Sequence, residues 1–441
     1  MRVIVQKYGG KCVEHGGNDL VTIERIKDTI EAGFMPVPVV SAMGREFKYA
    51  KDIVESISSK SDMRKIALTH FYSTAELVNI VRSISEKVSS RELDIMMSCG
   101  ELISSVHMSH LLSLEGIESV SLSGGQAGLY TDGFFGRAKV IKTDVSKVLK
   151  YLQNNIVPFV AGFQGITEDE GAITTLGEGG SDYSAVAIGA AIKNSCVPGV
   201  EMAGVEIYKD VDGVMTANPT NFIGSNAPPI LIRNLTFDEM CAMSRYGADV
   251  IQAESARLAR SLSLPVVVRN FKNPADPGTS VNSHTPLGTP CIAGVADMPS
   301  LVVFTVNSND NDVNHRIVEI LESERLNYQA IPTKEGVYRF GLKKEKYRDV
   351  GYFVGNLLNG NGISFTFENN NMALVTVVGE ILRNDIANVS SFILKSLKDA
   401  GINVYGDIKD DLSCSVLVSE EERVDTIILL HKMFVTNKVL A

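Results

Sequence analysis

With 441 residues, of which 44% are hydrophobic and 21% charged, the chain is long enough for two or three domains, each able to bury its own core. A net charge of −10 leaves no broad face to neutralise a phosphate backbone, which argues against a nucleic-acid partner and for a small one. The six cysteines (Cys12, Cys99, Cys196, Cys241, Cys291 and Cys414) include no CxxC pair, so neither a zinc ribbon nor a disulfide framework is indicated and reduced thiols are expected. The first residues enter a strand pattern without an apolar stretch of signal-peptide length, and no run of about 18 apolar residues occurs, so a cytoplasmic protein with no membrane insertion is expected.

Val3-Ile4-Val5 reads as a buried strand, followed at once by Lys7-Tyr8-Gly9-Gly10-Lys11-Cys12. Two glycines and a lysine at a strand's carboxyl end offer backbone N–H groups and a cation to phosphate, although the Walker A spacing is absent. Val21, Ile23, Ile26 and Ile30 mark a helix face, with Asn18 or Asp19 as cap and Gly33 as stop. The strand at 37–40 ends in Ser41-Ala42-Met43-Gly44-Arg45, small residues where open α/β sheets place their ligands. A helical pattern over 68–84 precedes Ser98-Cys99-Gly100-Glu101 and a further helical run over 102–112. Glu101 is read at the turn into that helix, either as a dipole partner or as a ligand for a substrate ammonium.

A buried strand over 156–161 leaves through Gly162-Phe163-Gln164-Gly165, and Gly177-Glu178-Gly179-Gly180-Ser181-Asp182 then opens a helix that ends near Asn194. Three glycines allow a sharp turn and close approach to a ligand, and the helix start suits phosphate, with Ser181 as N-cap and Asp182 in the first turn. The same residues also describe an ordinary capped turn. After a partly alternating strand at 205–209, Asp210 and Asp212 either hold magnesium beside phosphates or make a tight Asp-Gly turn. Asn218-Pro219 stops that element, 237–243 reads as helix, and 264–269 as the last strand before Gly, Pro, Ser and Asn cluster over 273–290, a domain boundary. Beyond it, strand, helix and strand at 301–306, 313–326 and 336–342 are followed by the same pattern at 373–378, 386–400 and 414–418, with a final helix near 424–434. Two such units suggest paired small α+β modules that bind ligands or partners.

These stations, taken in order, resemble the aspartate kinases over essentially the whole chain. The matching stretches are Lys7-Tyr8-Gly9-Gly10, Val40-Ser41-Ala42-Met43-Gly44, Ser98-Cys99-Gly100-Glu101, Gly162-Phe163-Gln164-Gly165, Gly179-Gly180-Ser181-Asp182 and Asp210-Val211-Asp212-Gly213-Val214-Met215-Thr216. The resemblance implies an α/β amino-acid-kinase domain over 1–280, a three-layer sandwich around a mostly parallel central sheet, followed by two ferredoxin-like α+β ACT domains over 291–365 and 370–441. It implies transfer of phosphoryl from ATP to the β-carboxylate of aspartate, Mg2+ held mainly by the nucleotide phosphates, and control by an amino-acid effector (lysine, threonine or diaminopimelate) at the ACT pair of a homodimer or higher homo-oligomer. Lys7 and Asp182 are the implied catalytic residues. Gly9, Gly10, Lys209, Asp210, Met215 and Asn218 join Lys7 around the nucleotide, while Ser41, Lys51, Glu101, Glu178, Gly179, Gly180 and Ser181 surround the amino acid, with Glu101 on its ammonium. At the second module Gly379 and Glu380 are placed to hold an effector, with Asn384 or Asp385 capping the next helix; dimerisation alone is the other reading.

The family's Thr-Ser after the two glycines is Lys11-Cys12 here, its Thr-Asp pair is Lys51-Asp52, and its Arg before Gly-Gly-Ser-Asp, which grips a substrate carboxylate, is Glu178. An arginine fork binds a carboxylate and a glutamate repels it. On the nucleotide side its Thr is Lys209, its Asp-Pro-Arg is Asn218-Pro219-Thr220, and its Gly-Ala-Lys with a following His-Pro is Gly247-Ala248-Asp249 with Gln252-Ala253. Three readings follow: an aspartate kinase with a diverged site, a kinase for another acceptor, and a regulatory paralogue that keeps the fold.

Overall fold

The computed structural model describes residues 1–44, 73–84, 88–224, 228–248, 251–283, 292–307, 311–333, 337–343 and 349–436. They form two compact units, one of Met1–Val214, Arg233–Phe237 and Val250–His284, the other of Met215–Ile232, Asp238–Asp249 and Thr285–Ala441.

The first unit is built on an eight-stranded sheet in the order Asn234–Thr236, Thr279–Asn282, Val266–Asn270, Glu201–Lys209, Arg2–Tyr8, Phe34–Val40, Val157–Ala161, Ser119–Leu122. Neighbours are parallel except for Val266–Asn270 with Thr279–Asn282. Val3, Val5, Val37, Val39, Val205 and Ile207 are all buried, as expected of a parallel sheet covered on both faces. On one face Tyr8, Val40, Phe159 and Tyr208 share a core with Ile23 and Ile26 of the helix Asn18–Glu31 and Met108 and Leu112 of the helix Ser90–Leu114. On the other, the helix Gly180–Asn194 lies so close that a Cβ at its Gly189 would stand 2.9 Å from Val205 Cγ2.

Several local expectations are corrected. Asn18 and Asp19 do not cap the first helix: its N-cap is Gly17, with φ of 121°. The helical pattern ending at 112 is one continuous helix, Ser90–Leu114, entered through Ser89, whose hydroxyl accepts the Glu92 N–H; Glu101 therefore lies in its interior and not at a turn. A smaller four-stranded sheet in the order Val140–Thr143, Leu129–Thr131, Gln164–Thr167, Ile173–Thr175 goes beyond the sequence reading, because strands of three or four residues leave no periodic signal.

The second unit holds a six-stranded antiparallel sheet in the order Tyr328–Ile331, Val337–Leu342, Ile292–Asn307, Thr366–Gly379, Ser413–Ser419, Gly406–Asp410. It comprises two ferredoxin-like patterns that share their two longest strands. Residues 302–307 pair with 337–342, while 292–298 pair with 374–379, and 372–378 pair with 413–419. The segment 292–298, which lies before the first pattern in the chain, thus completes the second one. The helices Leu382–Asp399 and Arg423–His431 cover that half through Val389, Ile393, Leu397, Ile427 and Leu430, in one core with Ala217 and Phe222. Neither Asn384 nor Asp385 caps the former helix at its start, which is at Leu382; Asp385 breaks it from within, at φ −142° and ψ 30°, and accepts from Asn388 Nδ2 at 2.6 Å. Among the described residues, no helix is long and apolar enough to cross a membrane.

Candidate functional site

Because its central strands run parallel, the first unit gathers their carboxyl ends along one edge of the sheet, where open α/β sheets bind ligands. The strand Arg2–Tyr8 lies between Phe34–Val40 and Glu201–Lys209, with Tyr8 opposite both Val40 and Tyr208. Lys7-Tyr8-Gly9-Gly10, Ser41-Ala42 and Lys209-Asp210 therefore emerge side by side. Strand alternation puts Lys209 on the face of Val205 and Ile207, against the helix Gly180–Asn194, and Lys7 reaches the same helix.

Asp182, in the first turn of that helix, receives both cations. Lys7 Nζ lies 2.8 Å from its Oδ1 and Lys209 Nζ 3.6 Å from its Oδ2, and the Asp182 side chain is only 4% exposed. Burial works to raise the carboxyl's pKa, but Lys209 and Lys7 more than offset it and hold the group below the usual carboxylate range. Two lysines on one aspartate leave a net positive spot, close to the positive end of a helix dipole.

Backbone turns around this spot are tight. Gly9 N–H donates to Tyr208 O at 3.3 Å, Cys12 N–H to Gly9 O at 2.9 Å, and Ser41 N–H to Tyr8 O at 3.1 Å. A Cβ at Gly10 would stand 2.6 Å from Ala42 O, so only glycine fits there. The helix N-cap is Gly179, with φ of 74° and no side-chain capping bond; Ser181, expected at that place, is the second residue of the helix and is buried. Gly162, at the glycine exit of its strand, lets that strand approach the helix: a Cβ there would be 2.9 Å from Ser181 Cβ. Phe163 follows at φ 68°, a strained value for a bulky residue, with its N–H on Ser184 Oγ at 3.0 Å.

From the opposite side of the sheet, Glu101 reaches the Ser41-Ala42 turn. Its Oε1 accepts the Ala42 N–H at 3.0 Å, while Oε2 is buried without a partner among the described residues. Burial lifts its pKa to about 8, against the opposing pull of the Ala42 N–H and the Lys7 charge. A buried carboxylate oxygen with nothing to bind, beside a cluster of lysines and glycines, is a place for a ligand's donor group.

The remaining candidates divide. Lys11 Nζ meets Asp210 Oδ2 at 2.6 Å and Asn270 Nδ2 meets Asp212 Oδ1 at 2.8 Å, so the paired acids are engaged by protein groups. Lys11 pulls the Asp210 carboxyl below its ordinary range although partial burial acts the other way. Glu178 is exposed. Met215 and Asn218 belong to the second unit, where Met215 bridges to Leu231 and Asn218 Oδ1 caps a short turn by accepting the Thr220 N–H at 3.1 Å. Lys51 and Asp249 lie outside the described residues. At the second module, Glu380 accepts from Arg383 Nε at 2.7 Å.

Comparison with known proteins agrees with this geometry. Residues 2–270 match the model of the amino acid kinase family. The chain is 31% identical to aspartokinase 1 of Bacillus subtilis (strain 168), over 99% of this chain and 100% of that protein. Among solved structures, E. coli aspartokinase III in complex with aspartate and ADP superimposes with a TM-score of 0.78 at 20% identity, over 98% of this chain and 99% of that one. The same enzyme in complex with lysine and aspartate gives a TM-score of 0.66 at 20% identity, over the same shares. This chain belongs to the amino acid kinase family, among its aspartokinases.

Proposed function

We propose that this protein transfers the terminal phosphoryl of ATP to the side-chain carboxylate of aspartate. The observation that carries the reading is the Lys7–Asp182–Lys209 group at the carboxyl ends of the central strands, facing the Gly9-Gly10 turn. The acceptor carboxylate is already a nucleophile, so the protein's task is to position two anions and stabilise the charge between them. Lys7 supplies that charge, held in place by Asp182; Lys209 adds a second cation on the nucleotide side. The Gly9 and Gly10 backbone lets phosphate come close. Ser41 and Glu101 bind the amino acid, its ammonium on the unpartnered Oε2 of Glu101.

Asp182 is engaged by two lysines and Asp210 by Lys11, an arrangement that suits Mg2+ carried on the nucleotide phosphates. There the ion neutralises phosphate charge. The same reading makes the ferredoxin-like modules the seat of an amino-acid effector, in a homo-oligomer.

The test is ADP release by the purified protein with Mg-ATP and aspartate, set beside glutamate, other amino acids and dicarboxylates, with Lys7→Ala as control. Aspartate-dependent turnover that the control lowers by about 10²–10³-fold supports the reading. The exposed Glu178, where a carboxylate-gripping arginine is usual, favours one second reading, a different acceptor; turnover with another amino acid and none with aspartate would establish it.

A further inference from the structure

Outside this site, one cluster of metal-ligating side chains stands among the described residues of the first unit. Asp19 is 3% exposed, and its Oδ2 lies 3.2 Å from His15 Nδ1 and 3.0 Å from His107 Nε2. The three ligand atoms all fall within 4.8 Å of one another. We propose that His15, Asp19 and His107 form a binding site for a borderline divalent transition-metal ion such as zinc.

The donor set is two imidazole nitrogens and one carboxylate oxygen, which suits zinc and its neighbours better than magnesium or calcium, both of which take oxygen ligands. Bonds of about 2.0–2.2 Å to such an ion in tetrahedral array put neighbouring ligand atoms roughly 3.3–3.5 Å apart. The two N···O separations, 3.0 and 3.2 Å, are already close to that. His15, 40% exposed, can turn to bring its nitrogen in, and its exposed side leaves room for a water as fourth ligand.

The carboxylate is oriented for the task. Its other oxygen, Oδ1, accepts the N–H groups of Gly17 at 3.1 Å and Leu20 at 3.0 Å, the kind of outer support that ligating carboxylates have. Gly16 and Gly17, at φ of 109° and 121°, bend the chain back so that His15 meets the first turn of its own helix. An ion there joins three separate stretches: the loop that follows the Gly9-Gly10 turn, the helix Asn18–Glu31, and the helix Ser90–Leu114 that carries Glu101. The loop is already tied inward by Asn18 Nδ2 on Lys11 O at 2.9 Å and Thr22 Oγ1 on Cys12 O at 2.7 Å. The role is a clamp on this loop, separate from the nucleotide's own magnesium.

The experiment uses the full-length protein, stripped with chelator and then titrated with zinc in the absence of nucleotide and amino acid. Equilibrium dialysis with elemental analysis reads stoichiometry, thermal melting reads stabilisation, and Co2+ in place of zinc gives a visible spectrum for the ligand geometry. One zinc per chain and a raised Tm are expected, with affinity lowered at least about 10-fold in His15→Ala and in His107→Ala, since the loss of outer-shell partners alone costs about 10–100-fold. The solvent-facing His15→Ala keeps the test open if His107→Ala folds poorly. Zinc binding that is absent, or equally tight in His15→Ala with the same cobalt spectrum, overturns the proposal and leaves two histidines that hydrogen-bond Asp19. Since no step involves ATP, this result stands or falls apart from the kinase reading.

Discussion

Lys7 and Asp182 form a buried ion pair at 2.8 Å in which the cation comes from a central strand and the anion from the first turn of the helix packed on that strand. Neither partner is spare. Replacing Asp182 by alanine leaves Lys7 uncompensated in a buried place, and breaking such a pair costs about 3–5 kcal/mol. Lys7→Ala removes the cation aimed at the transferred phosphoryl and is expected to lower kcat by about 10²–10³-fold, the usual loss for one preorganised charge-stabilising group. Steady-state ADP release reads the second effect and thermal melting the first.

Lys209 lies farther from Asp182, at 3.6 Å, and is more exposed, so its removal is expected to act mainly on the nucleotide. Lys209→Thr should raise the KM for Mg-ATP several-fold while leaving kcat less affected than Lys7→Ala does. A variant that binds ATP as tightly as the parent would show that the second cation serves only to hold Asp182.

Glu101 links stability to function through pH. Its carboxyl is lifted from 4.5 to about 8 by burial, so in the folded protein its proton is retained where the unfolded chain has lost it. That stabilisation is fully present below about 4.5 and is lost as pH rises through about 8. Glu101→Gln keeps the buried shape without the charge and is expected to melt higher than the parent at about pH 9, by an amount that shrinks toward acid, with a ceiling of a few kcal/mol. It should lose amino-acid binding at every pH. In the parent, a substrate ammonium beside Oε2 favours the ionised form, so binding near neutral pH should release a proton, seen in calorimetry as a heat that depends on the buffer. A buffer-independent heat would place the ammonium elsewhere.

Gly10 is expected to tolerate no side chain. An added Cβ would meet Ala42 O at 2.6 Å, and the Ala42 N–H is the one that holds Glu101 Oε1. Gly10→Ala should therefore impair both the phosphate turn and the amino-acid site, with kcat/KM falling by a larger factor than the drop in melting temperature suggests. Unchanged KM for the amino acid would separate the two turns.

In the second unit Arg423 Nη1 lies 2.6 Å from Asp297 Oδ2, and burial holds that carboxyl above its ordinary range despite the guanidinium. Arg423→Ala should destabilise this unit by roughly 3 kcal/mol, toward the lower end for a broken buried pair because Arg423 is partly exposed. Adding Asp297→Asn should recover part of the loss, which a double-mutant cycle in thermal melting measures.

What the sequence made legible was contiguous. Lys7 through Gly10, Ser41-Ala42 and Gly179 through Asp182 are each a few residues in a row, and parallel strand order is enough to bring them to one edge. Relations set by distant residues were not legible. Ser98-Cys99-Gly100 looks like a turn because Ser and Gly favour turns, yet the helix runs through it; Gln164 Nε2 donates to Ser98 O at 2.9 Å, a partner 66 residues away. The ion pair that engages Lys11 joins it to Asp210 across 199 positions, and no local pattern announces it. Met215 and Asn218, close to Asp210 in the chain, have their backbone in the other unit, a division that no local pattern marks.

The shared strands of the second unit also set an order of events during synthesis. The segment 292–298 emerges before the whole first ferredoxin-like pattern, and its partner at 374–379 comes only after it. At about 5–20 residues per second that interval is on the order of 5–15 s. Throughout it Val295 and Met298, buried in the finished sheet, have one side of their strand unpaired. The first pattern can close while they wait, and the second cannot begin until the ribosome has passed it, so a nascent chain stalled between the two presents an apolar strand edge to whatever is nearby.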